Sequence, residues 1–233
     1  MERDLTVEFK TLVKNIITPQ LKQTGFKKKN LNFNCVFPNL TQSLNVQKSQ
    51  YNHSESIRFT INLGFYNSLI FKISKDRVDE PQFVTSDNCF IWGRTGMLIY
   101  NSDYWYELDH IKEYEKVSKQ IENDLKNHVL PLFTKLQTLD ALLDFIRIDY
   151  KYRPFHLIAN IDDVSLLELE FGDYVRGRTI LKRLYNEAII PKSTKHTTVH
   201  PDGREDIRWS EPSVNDFHVN KLIRIAKKYK IDI

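Results

Sequence analysis

Between residues 32 and 66 apolar side chains return at every second position, and no other feature narrows the possible folds so far. Phe33, Cys35 and Phe37 alternate with Asn32, Asn34 and Val36 until Pro38 ends the run. Leu44 and Val46 resume the alternation, and Ile57, Phe59, Ile61, Leu63 and Phe65 sustain it longest. A period of two sends alternate side chains to opposite faces of a strand. Short loops between such strands favour antiparallel neighbours. Three adjacent strands are therefore predicted, with Phe33, Cys35, Phe37, Val46, Phe59, Ile61 and Leu63 on one buried face.

The other parity is chemically odd. It carries Asn32, Asn34, Asn45, Gln47, Ser49, Thr60 and Asn62, where Lys and Glu would be ordinary. Asn competes with the backbone for hydrogen bonds, so each use in a strand costs roughly a few tenths of a kcal/mol. Amides that are neighbours across strands present donors and acceptors together, which suits peptide, sugar or base edges. These seven residues are the candidate binding face, with Gln47 and Asn62 expected at its centre on adjacent strands. A plain solvated face, or one covered by the C-terminal helices, is the competing reading. Lys48 shares the parity of Leu44 and Val46 and reads as a rim lysine with a buried stem.

Helical spacing flanks the strands. Leu5, Phe9, Leu12, Val13, Ile16, Ile17 and Leu21 recur at threes and fours, with Pro19 expected to kink the helix or begin a fresh turn and Gly25 to stop it. Residues 69–74, LIFKIS, read as a fourth strand or an extension after a bend, and residues 76–88 as a loop. A turn or bulge is expected between Gly93 and Gly96. Asp109 is a candidate N-cap for a helix through Ile111, Tyr114, Val117, Ile121 and Leu125. Further helices are expected over 138–148, as a pair turning at Gly172, and from Ser213 to Tyr229, with an interruption at Pro154. Residues 190–212 contain three prolines and HPDG and read as a long loop.

Composition excludes several classes. At 41% hydrophobic and 27% charged residues, the chain of 233 is globular rather than disordered. Cys35 and Cys89 lack CxxC partners, so a disulfide framework is excluded and a reducing, cytoplasmic compartment is expected. The charged start MERDLTVEFK is unlike a signal peptide, and no apolar run approaches the length of a membrane span. The net charge of +4 falls short of a dedicated DNA binder. Basic clusters at Lys27–Lys29, at Arg176, Arg178, Lys182 and Arg183, and at Lys227, Lys228 and Lys230 read as solvated surface.

Catalytic signatures are not found: neither GxSxG, a Walker loop, GxGxxG nor HExxH occurs. His196 and His200 would align on a helix as metal ligands, but Thr197, Thr198 and the following Pro-Asp-Gly argue for a loop or hairpin. No metal, catalytic residue or cofactor is expected.

In order, LKQTGFKKK, NFNCVF, LNVQKSQ, FTINLGFY, RTGMLIY and DYWYEL resemble, over about residues 5–130, the bacterial family catalogued as domain of unknown function 4304. That resemblance implies an α+β fold and a cytoplasmic bacterial origin, and it brings no activity, ligand or catalytic residue. Together these readings predict an α+β protein. A largely antiparallel sheet of four to six strands with an N-terminal helix fills residues 1–130, and an all-α C-terminal half follows over 131–233, either as a second domain or as a cap on the same core. A non-catalytic protein- or peptide-binding module is expected, an immunity-type blocker of a toxin being one form. The alternatives are an enzyme with a site between sheet and helical half, or a weak, sequence-independent nucleic-acid binder. A protein or peptide is the expected partner; nucleic acid and membrane are not.

Overall fold

The computed structural model describes residues 4–109, 114–148 and 157–233, and the chain divides into two compact units, Met1–Asn160 and Ile161–Ile233. The first unit opens with α1 (Leu5–Leu12), a single π turn (Val13–Ile17) and α2 (Thr18–Gln23). Asp4 caps α1 by accepting from the Thr6 and Val7 N–H groups at 2.9 and 3.1 Å. Pro19 has no N–H to donate and its ring crowds the preceding turn. The wide turn absorbs the conflict: the Thr18 N–H reaches back five residues to the Val13 carbonyl, and its hydroxyl donates there at 2.6 Å. Gly25, at φ +90°, stops the helix, and the Phe26 N–H closes the end on the Leu21 carbonyl at 3.0 Å.

Strands β1 (Lys27–Lys29), β2 (Asn32–Phe37), β3 (Leu40–Lys48) and β4 (Ser56–Tyr66) follow as antiparallel neighbours. The segment 69–74 is no strand. It lies in α3 (Ser68–Lys75), because the Asn67 side chain accepts from the Ile70 N–H at 3.0 Å and nucleates a helix. Strand β5 (Ile91–Arg94) pairs with residues 62–65 of β4, and after α4 (Thr95–Ile99) strand β6 (Tyr106–Asp109) pairs with residues 56–59 of the same edge. The turn expected near Gly93 to Gly96 is thus a strand-to-helix junction. Asp109 ends β6; residues 110–113, where its helix would begin, lie outside the described residues.

Three further helices follow: α5 (Tyr114–Asp124), joined through a second π turn (Leu125–Val129) to α6 (Leu130–Lys135), and α7 (Leu139–Arg147). The second π turn again stands just before a proline, Pro131, and the Leu130 N–H reaches the Leu125 carbonyl. Strand β7 (Ile158–Ala159) completes a seven-stranded antiparallel sheet on β5, and the expected break at Pro154 lies outside the described residues.

The alternation is realised in the packing. Phe33, Leu44, Val46, Ile57, Phe59, Ile61, Leu63 and Phe65 are each at most 4% exposed on one face, whereas Phe37, at the strand end, is only half-buried. Phe9 of α1 stands edge-on to Phe59 at 5.1 Å, and Phe133 of α6 meets Phe26 and Phe65 at 5.2 and 5.8 Å. Gln42 breaks the apolar parity for a reason: its Nε2 donates to the Phe133 and Leu136 carbonyls at 2.6 and 3.0 Å, satisfying the end of α6. Lys48 is exposed at the rim with its Nζ 5.3 Å from the Phe9 ring.

In the second unit α8 (Ile161–Phe171) and α9 (Tyr174–Ala188) turn at Gly172–Asp173, then β8 (Lys195–Val199) and β9 (Glu205–Trp209) precede α10 (Asp216–Lys228). Residues 190–212 are therefore not simply a loop; they hold a hairpin closed by Gly203 at φ +82°. Helices α8 and α9 approach closely because Gly177 lacks a side chain: a Cβ there would stand 2.8 Å from the Leu169 nitrogen and 3.0 Å from the Ser165 carbonyl. No helix among the described residues is long and apolar enough to cross a membrane.

Candidate functional site

Six of the seven candidate residues, all but Ser49, lie on the same side of the sheet, but two connections cover part of it. Near β2 the segment after α3 crosses the face: Asn34 Nδ2 donates to the Val84 carbonyl at 2.9 Å, and the Val84 N–H returns a bond to Asn34 Oδ1 at 2.8 Å. Tyr66, Phe71 and Val84 form a small second core there, with Cys89 against it. Gly64 permits the crossing, since a Cβ would fall 2.5 Å from Cys89 Sγ. On the other flank Thr60, fully buried, donates to the Tyr104 carbonyl at 3.4 Å. Ser49 lies beyond β3 and accepts from the Tyr51 N–H at 3.1 Å, shaping the loop.

What remains between is a ladder of amides. Asn32, Asn45, Asn62 and Arg94 form one row across β2, β3, β4 and β5. Asn45 Nδ2 donates to Asn32 Oδ1 at 2.8 Å; Asn62 Nδ2 donates to Asn45 Oδ1 at 3.3 Å and to Gln47 Oε1 at 2.8 Å. Asn62 is 5% exposed, Asn32 and Asn45 are half-buried, and Gln47 is exposed. The pairing uses one side of each end amide. Among the described residues, Asn32 Nδ2 and Gln47 Nε2 keep donors, and Asn62 Oδ1 an acceptor, that have no protein partner.

The rim contains residues that strand periodicity did not single out. Arg94 continues the amide row, lies 5.1 Å over the Trp105 ring, and bonds Asp103 at 2.5 Å, while its buried Nε has no partner. Arg94 first, with the Trp105 N–H, holds the Asp103 carboxyl below its ordinary value. Trp92 is 37% exposed beside Ile158, its register partner, at 50%. The RTG and DYWYEL stretches were the only sequence signal for this rim, and they gave no face.

Behind the rim, Asp124 is 2% exposed and accepts from the Tyr100 and Tyr106 hydroxyls, each at 2.7 Å. Gln120 Nε2 donates to Tyr100 and Tyr104 at 2.9 and 3.1 Å. The network props the 100–106 segment against the sheet. Burial, then Asp124, raises the Tyr100 hydroxyl to about 12, and Tyr106 is raised further for the same reasons. An unfolded tyrosine ionises near 10, so the folded chain holds these protons longer than the unfolded chain does. The stability these two hydroxyls contribute is thus fully present below about pH 10, and the share of Tyr100 is lost as pH rises from about 10 through about 12. Thermal melts across that range are expected to show the fall, and Tyr106→Phe to reduce its slope.

Among the described residues no three His, Cys, Asp or Glu side chains gather as metal ligands. His196 lies on β8, and His200 bonds Asp206 at 2.7 Å. In comparison with known proteins, the family model described as Domain of unknown function (DUF4304) matches residues 17–135. No curated protein and no solved structure matches the chain.

Proposed function

Because the chain belongs to the DUF4304 family, which attaches no chemistry to these residues, we propose from the site itself that it is a non-catalytic binding protein of the bacterial cytoplasm. Its ligand is an extended protein or peptide segment laid over the amide ladder. The supporting observation is the set of unused donors at Asn32 and Gln47 flanking the Asn62 acceptor, beside Trp92, Trp105 and Arg94. A peptide backbone offers the complementary acceptors and donor, and Trp and Arg are the residue types that dominate binding energy at interfaces.

A peptide-display selection against the immobilised protein tests this. An enriched sequence is expected, with Gln47→Ala and Trp92→Ala each weakening it by about 1–3 kcal/mol, since truncation strands a polar group of the ligand or removes an aromatic anchor. Gln47 is exposed, so its replacement should shift stability by no more than about 0.5 kcal/mol. No enrichment, or enrichment indifferent to both substitutions, sinks the proposal. Destabilisation beyond about 2 kcal/mol at Gln47 would make the ladder purely structural.

A further inference from the structure

The geometry points to a second, independent surface: the unit Ile161–Ile233 binds duplex DNA through the outer face of α9 and the β8–β9 hairpin. The inward face of α9 is fixed by Gly177, Leu181 and Leu184, which are buried. Helical spacing then turns Val175, Arg178, Thr179 and Lys182 outward, and Val175 is 70% exposed. Taken along the sequence, the basic residues of this stretch look like ordinary solvated surface. Their placement differs from that reading.

Charge is segregated within the unit. The acids of α8 turn inward: Asp162 meets Lys221 at 3.0 Å and His218 at 3.2 Å, and Glu168 meets Arg176 at 3.1 Å. Over residues 174–209 the sequence has eight Lys or Arg against four Asp or Glu. Three of those acids are engaged locally: Glu187 with Arg183, Asp206 with His200, and Asp202 with the Arg204 N–H. Arg178, Lys182, Arg204 and Arg208 form no ion pair among the described residues.

Shape agrees with charge. Helices α8 and α9, joined by the two-residue turn Gly172–Asp173 and packed closely at Gly177, form a helical hairpin whose second helix is exposed and basic on its outer face. A helix with its side chains is about 10–12 Å wide, close to the major groove's ~12 Å. The hairpin is exposed over nearly its whole length, and its His196–Arg208 face and Arg204 at the tip offer donors for the phosphate backbone. A two-stranded hairpin is marginal alone in water, so one left in the open fits a role in contact. An acidic protein would satisfy the charge but not the match of an exposed helix to a groove.

The test is fluorescence anisotropy of the full chain with a 20-base-pair DNA duplex of random sequence. Binding is expected at low salt, with a log–log salt slope of about −3 to −5, corresponding to roughly four or five phosphates. Arg178→Ala, Lys182→Ala and Arg208→Ala should each reduce that slope by about one, and all three together should weaken binding at least about tenfold. Lys182→Arg should restore the loss at that position, and Gln47→Ala should leave DNA binding unchanged, separating this surface from the amide ladder. No duplex binding overturns the inference. So does binding indifferent to the three alanines, or equal affinity for poly-glutamate, which would indicate an acidic protein instead.

Discussion

Phe59→Ala is expected to destabilise the first unit by about 3–5 kcal/mol, the range for a large aromatic removed from a closed core. Phe59 is fully buried at the centre of β4, edge-on to Phe9 at 5.1 Å and stacked on Tyr106 at 5.5 Å. The cavity would lie between the N-terminal helix and the sheet, where neither side can collapse without breaking strand register. Denaturant titration should show a lowered midpoint with an unchanged slope, and the melting temperature should fall by roughly 6–20 °C. A loss below about 0.5 kcal/mol would mean that Phe59 is not in the core and that the register is wrong.

Asp124→Ala is the second large effect, expected at about 2–4 kcal/mol. Hydrogen bonds to a charged partner contribute about 1.5–3 kcal/mol, and a buried hydroxyl left alone costs its desolvation as well. The loss falls mainly on Tyr106, which is 1% exposed; Tyr100, 38% exposed, can turn to water or to Gln120. The effects of Asp124→Ala and Tyr106→Phe should not add, because each removes the same bond. A double-mutant cycle checks this: additive losses would show that the two groups are not coupled. Asp124 lies on α5 and Tyr106 on β6, so the cycle also reports how the rim behind the amide ladder is held.

The sequence by itself determined the three central strands, their faces and most of the helices, because a period of two or of 3.6 is written locally and burial follows from it. Gly25 and the helix pair at Gly172 were legible for the same reason: a positive φ or a tight turn imposes its own residue. The six-residue run 69–74 was ambiguous, since so short an apolar segment fits either period, and the Asn67 cap decided it. Within residues 190–212 the choice between loop and hairpin stayed open because no core face marks the alternation; both strands are exposed.

The candidate site was legible as a parity and not as a surface. Asn34, Asn62 and Thr60 obey the same alternation as Asn45 and Gln47, yet only tertiary structure laid Val84 over the first and Tyr104 over the last. Gln42 sits on the apolar face for the sake of carbonyls more than ninety residues away. Arg94 and Trp92 joined the amides through strand pairing across about thirty positions, and Trp105 through its ring contact with Arg94. Periodicity reports which way a side chain points relative to its own strand. What it meets there depends on how the rest of the chain closes over the sheet, and no local pattern contains that closure.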